Sequence, residues 1–204
     1  MGLKDDIDSS KKLLTYCSEL IDNVVEVNRD TLKKSFPATL FQTALEHHSA
    51  IQLLVSHTIP LNGSAAALLR PQFEAYIRGV WLHRCAKDSD IKKFCKEDKL
   101  PKIDLLIEQI EKLPAFANGV LSKKKKELWN IMCSLIHGGM LQITNRISAT
   151  EIADNYTDEQ VSEILNFACS VTQMVLVGLA GLIENTIMAN EIYSTCKRLF
   201  SEKT

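Results

Sequence analysis

The stretch "AAALLRPQFEAYIRGVWLHRCA", Ala65 to Ala86, decides the fold. At about 100° per residue, Phe73, Ile77 and Trp81 fall on one arc of a helix, while Leu68, Ala75, Gly79 and Leu82 cover the other side. A helix apolar nearly all round is contacted from several directions, so it belongs at the centre of a bundle. Two charges interrupt it. Arg70 and Glu74 lie only about 40° apart and inside the widest apolar arc. Such a pair either fixes the orientation of the helix or makes Arg70 an anion anchor held by Glu74.

Outward from this helix the same spacing recurs. Leu13, Leu14, Cys17, Leu20, Ile21, Val24 and Val25 mark a first amphipathic helix from about Leu3 to Val27. Pro37 suits the first turn of a second, carrying Leu40, Phe41, Ala44, Leu45, Ile51, Leu54 and Val55. "IPLNGS" (Ile59 to Ser64) reads as a turn, with Ser64 able to cap the next helix. A short polar helix holds Ile91, Phe94 and Cys95, and Pro101 and Pro114 bracket an amphipathic segment. Ser122 opens a fourth long helix, and Gly138-Gly139 suit its left-handed end. Thr157 to Gln160 form a capping box for a last long helix up to about Ala189, followed by a terminal segment from Glu191 to Phe200. No stretch alternates as a strand. The expected architecture is all-α, one bundle domain over residues 1–204 with about five long helices plus short ones.

Composition narrows the function classes. The 204 residues are 46% hydrophobic and 24% charged, which suits a globular core rather than disorder. A net charge of −1 gives no global attraction to nucleic acid or anionic membrane, so any such affinity rests on a local patch. The cysteines, Cys17, Cys85, Cys95, Cys133, Cys169 and Cys196, follow no disulfide or zinc spacing. Together with a start lacking an apolar leader, they predict a reducing, cytoplasmic setting. "MVLVGLAGLI" (Met174 to Ile183) is too short for the roughly 20 apolar residues of a membrane span and reads as a buried core helix.

A second polar feature runs along "SKKKKELWNIMCSLIHGGMLQITNR", Ser122 to Arg146. Beside an apolar arc of Trp129, Met132, Cys133 and Ile136 lies an edge of Lys123, Lys126, Asn130, Ser134 and His137. Four consecutive lysines at a helix start oppose its dipole. They are either a solvated end or a lure for phosphate. His137, ahead of two glycines that permit close approach, is either a structural hydrogen-bonding residue or an acid/base group. With Asn130, Ser134, Gln142 and Arg146 it makes the best site candidate. Ser134 and His137 have no acidic orienter for a serine nucleophile. His47, His48 and His57 offer two metal ligands but no convincing third, and no metal or cofactor is expected. Arg78 and His83 stand about 140° apart on their helix and carry no argument.

The motifs Arg-Pro-x-Phe-Glu with Gly-x-Trp-Leu in the first stretch, and His-Gly-Gly with Gln142 and Arg146 in the second, resemble an uncharacterised family of bacterial helical proteins. The resemblance covers most of Ala38 to Leu182. More loosely, an arginine on one helix and a histidine on a later one look like the HEPN superfamily. That resemblance implies metal-independent RNA binding or cleavage in a defence or toxin–antitoxin setting, with a homodimer as the usual form. On that reading Arg70, Glu74 and His137 are the catalytic candidates, and Asn130, Ser134, Gln142, Arg146, Lys123 and Lys126 would bind the ligand. The alternative is a non-enzymatic scaffold or regulatory protein, bound to a partner protein, in which these residues are structural.

Overall fold

The computed structural model describes residues 2–24, 32–147 and 151–200. Its helices are α1 (Leu3–Val24), α2 (Leu32–Val55), α3 (Asn62–Ala67), α4 (Leu69–Arg84), α5 (Asp88–Glu97), α6 (Ile103–Glu111), α7 (Val120–Ile136), α8 (Met140–Thr144), α9 (Asp158–Leu182) and α10 (Thr186–Phe200). A 3-10 turn, Pro114–Phe116, joins α6 to α7. No strand occurs among the described residues, only the isolated bridge between Ile147 and Ile152. The all-α expectation holds. The predicted end of the first helix at Val25–Val27 lies outside the described residues.

α9 is the axle. It packs against α1, α2, α4 and α10, and α2 lies along α4. By length and composition alone α9 would cross a membrane, but more than half of its most apolar window is buried by these neighbours. The tightest crossing is a ring between two glycines. Phe41 of α2 is fully buried, and a Cβ on Gly79 of α4 or on Gly178 of α9 would stand 2.7 and 2.9 Å from its ring. Without those side chains the three backbones close on one aromatic group.

A chain of buried polar groups crosses the same interface. Ser10 Oγ lies 2.9 Å from His48 Nε2, and His48 Nδ1 shares a hydrogen bond with Thr172 Oγ1 at 2.8 Å. Gln72 Nε2 donates to Thr172 Oγ1 and to the Ala168 carbonyl. All four side chains are inaccessible, and the chain ties together α1, α2, α4 and α9. Burial pushes the His48 imidazole down to about 4, so it is neutral at pH 7. His47 faces elsewhere and is half-buried, so the adjacent histidines do not converge as metal ligands. Among the described residues no group of three or more His, Cys, Asp or Glu could hold a metal ion.

Four boundaries differ from those the sequence suggests. The stretch Ala65–Ala86 is two helices, α3 and α4, hinged at Leu68. Pro71 has no amide to donate to the Ala67 carbonyl, so the ladder skips there. Pro37 stands inside α2 rather than in its first turn. The carbonyl it leaves unserved belongs to Lys33, in the exposed first turn of α2. Ser64 is within α3, not its cap: Leu61 is the N-cap, and its carbonyl accepts from Ser64 N and Ala65 N. The last long helix stops at Leu182. Glu184 turns left-handed at φ 56°, and Asn185 starts α10 by accepting from Met188 N at 2.9 Å. The capping box at Thr157 and Gln160 forms as expected.

Candidate functional site

Along α4, Arg70, Glu74 and Arg78 repeat every four residues; along α7, Trp129, Cys133 and His137 do the same. On a helix this spacing keeps three side chains on one slowly drifting face. Here the two ladders meet. Arg70 Nε donates to Glu74 Oε1 at 2.8 Å, and Arg78 Nη2 donates to Glu74 Oε2 at 2.8 Å. Arg70 Nη1 donates to Cys133 Sγ at 3.4 Å and to His137 Nε2 at 3.3 Å. Its guanidinium carbon lies 4.5 Å from the centre of the Trp129 ring.

This arrangement has three chemical consequences. The Arg70 guanidinium is held by a carboxylate, a thiol, an imidazole and a ring face, so its plane is set before any ligand arrives. It still keeps 25% of its side chain exposed, against 17% for Glu74. Two arginines share one carboxylate, which leaves a net positive charge on the ladder. In the neutral form of His137, accepting from Arg70 at Nε2 places the ring proton on Nδ1. His137 itself is exposed, at the C-terminal end of α7. Next to it Gly138 takes φ 66°, the left-handed conformation expected at the end of this helix.

The structure therefore brings together Arg70, Glu74 and His137. It does not gather the other candidates around them. Ser134 Oγ accepts from Leu141 N at 3.2 Å and closes the turn, and a Cβ on Gly139 would run into Ser134. Arg146 lies against Gly63, where a Cβ would meet its guanidinium at 2.7 Å. Asn130 is exposed and Gln142 half-buried, and among the described residues no hydrogen bond or ion pair joins either, or Arg146, to Arg70, Glu74 or His137.

The lysine run divides. Lys123 and Lys126 are exposed, whereas Lys124 and Lys125 turn inward. Lys125 pairs with Asp104 at 2.7 Å and lies 4.6 Å from the Trp129 ring centre. Lys124 donates to Ser170 Oγ and lies over Phe167, and burial pushes its ammonium below the ordinary lysine range. The backbone amide of Ser122 already donates to the Glu111 carboxylate, and Lys126 shares a cleft with Asp104, Glu108 and Glu111. The acidic face of α6 thus answers the helix start that would otherwise attract phosphate. Trp129 and Cys133, read from the sequence only as apolar, belong to the site. Their offsets of eight and four from His137, matching Arg70, Glu74 and Arg78, were the available signal.

Residues 41–202 match the family of unknown function DUF6988. The chain belongs to this family. The match spans both ladders, so the Arg70–His137 pairing lies wholly within the family's matched region. Comparison with curated proteins found no match, and comparison with solved structures found none.

Proposed function

We propose that this DUF6988 protein is an HEPN-like cytoplasmic RNA-binding protein whose Arg70–His137 site holds a backbone phosphate. The observation that carries the reading is the 3.3 Å contact between the clamped, part-exposed guanidinium of Arg70 and the exposed ring of His137. A phosphate oxygen meeting that guanidinium gains charge-assisted hydrogen bonds from a donor already oriented. The site suits metal-independent cleavage of RNA by the ribose 2′-hydroxyl. Once Arg70 Nη1 turns to the phosphate, the released Nε2 of His137 would accept the 2′-hydroxyl proton as that oxygen bonds to phosphorus, Arg70 would stabilise the phosphoryl charge, and the 5′-oxygen would leave with a proton from water.

A second reading is a non-enzymatic helical protein that engages a partner protein. The inward packing of Lys124 and Lys125 favours it, because half of the basic run is consumed in holding α7 to α6 and α9.

Titration of a single-stranded RNA at several salt concentrations separates the two. Each phosphate contact contributes about −0.7 to the slope of log K against log salt. RNA binding with a negative slope, and cleavage lost in His137→Ala with binding retained, is the expected result. Absence of binding at low salt would overturn the proposal in favour of the second reading.

A further inference from the structure

On the far side of α4 from the Arg70 ladder, a cavity of about 700 Å³ opens between α4, α7, α9, α10 and the Pro114–Phe116 turn. Its wall is largely apolar, with Phe41, Val80, Phe116, Met174, Val177 and Ile192. The volume falls within the roughly 300–1,000 Å³ of small-molecule sites.

The polar groups on this wall are unusual. Tyr76 is 3% exposed and lines the cavity. His83 lies seven residues further along α4 on the same face, and its Nε2 is buried with no partner. Burial, with Arg84, Lys33 and Lys34 facing it and Glu184 opposing them, pushes this imidazole below its ordinary range. Its ring is therefore neutral at pH 7, with an unmet bonding position. Arg84 is exposed at the mouth, and neither it nor Lys33 or Lys34 enters an ion pair among the described residues. Of these charged groups Arg84 and Glu184 line the cavity, while Lys33 and Lys34 act on His83 from outside its lining.

An apolar cavity with one unmet buried imidazole nitrogen and an unpaired arginine at its mouth suits one class of ligand. We infer that it binds a small amphipathic carboxylate, its apolar body along α9 and α10 and its oxygens toward His83 and Arg84. This site is separate from the Arg70–His137 pair and stands or falls independently of it. In the tautomer that carries the ring proton on the buried His83 Nε2, that unpartnered donor costs stability that a ligand's oxygen would recover. Arg84 would discriminate against an uncharged analogue, which leaves its charge unanswered.

Dodecanoate and dodecanol, matched in apolar body, test this by calorimetric titration of the full chain. Wild type is expected to bind dodecanoate at least ten-fold more tightly than dodecanol, and Arg84→Gln to remove most of that preference. A blocking variant is available in Gly181, a lining residue whose added Cβ would meet nothing within 4 Å. Gly181→Phe should fold with an unchanged helical spectrum and lose dodecanoate binding by at least thirty-fold. Equal binding of the two probes, undiminished binding in Gly181→Phe, or no binding by wild type would each overturn the inference. So would a wild-type dimer that Gly181→Phe converts to monomer, since a second copy would then be the occupant.

Discussion

His48 and Thr172 are 124 positions apart in the chain and 2.8 Å apart in the fold, both without solvent access. Their bond, with Ser10 and Gln72 at either end, fixes how α2 sits on α9. Its stability depends on pH. The folded imidazole takes its proton only near 4, whereas the unfolded one does so near 6.5. Between those values the unfolded chain binds more protons, so the stability present above pH 6.5 is lost as pH falls toward 4. At 1.36 kcal/mol per unit, this site alone should lower the unfolding free energy by about 2–3 kcal/mol between pH 7 and pH 4.5. Urea titrations of wild type and His48→Gln at both pH values check it. An equal drop in both proteins would show that the loss arises elsewhere.

Two helix glycines should respond to alanine in opposite directions. Alanine at Gly79 gains roughly 0.5–1 kcal/mol of helix preference. It also sets a Cβ 2.7 Å from Phe41, whose ring cannot retreat because Gly178 stands close on α9. Overpacking costs about 1–3 kcal/mol, so Gly79→Ala should be destabilising by about 1–2 kcal/mol. Gly181 is the converse case, with nothing within 4 Å of the added carbon. Gly181→Ala should raise the thermal midpoint. Identical midpoints for the two variants would contradict the packing argument.

Glu74 serves two arginines, and the asymmetry between them is measurable. Glu74→Gln leaves Arg70 and Arg78 facing each other without a counter-charge in a half-buried setting. A loss of about 1–2 kcal/mol is expected, between the exposed-pair range and that of charged hydrogen bonds. Arg78→Ala, removing a side chain 45% exposed, should cost less than about 0.5 kcal/mol. Chemical denaturation with an unchanged m-value reads both. If Glu74→Gln leaves the midpoint where it was, the ladder contributes nothing to folding.

Much of the helical order was legible because burial repeats every three or four residues, as at Phe73, Ile77 and Trp81. The breaks were less so, since each turns on one backbone group. Pro71 removes the amide that would have joined α3 to α4, and Asn185 caps a new helix inside what reads as one helix up to about Ala189. For the site, Arg70 and Glu74 were visible as charges in an apolar arc, and His137 as a polar residue before glycines. Their meeting across 67 positions depends on how α7 crosses α4, which local spacing does not encode. The Ser10–His48–Thr172–Gln72 chain was invisible for the same reason. Four ordinary polar residues become a network only when four helices converge.

The Arg70 guanidinium is distinguished from a simple positive charge by its fork, and Arg70→Lys isolates that property. Lysine keeps the charge and can reach Glu74, but a single ammonium cannot also serve Cys133 and His137 while lying on Trp129. If Arg70 holds a phosphate, the variant should bind single-stranded RNA about ten-fold more weakly at fixed salt, because an oriented pair of donors becomes one mobile donor. The salt slope should change by less than one contact, since the charge remains. Arg70→Ala would lose both affinity and about 0.7 of slope. A purely structural Arg70 behaves differently: both variants would lower the denaturation midpoint while wild-type RNA affinity persisted in the folded fraction. Parallel measurement of midpoint, affinity and slope on the three proteins therefore assigns the residue, and unchanged affinity in folded Arg70→Ala would remove it from the proposed site.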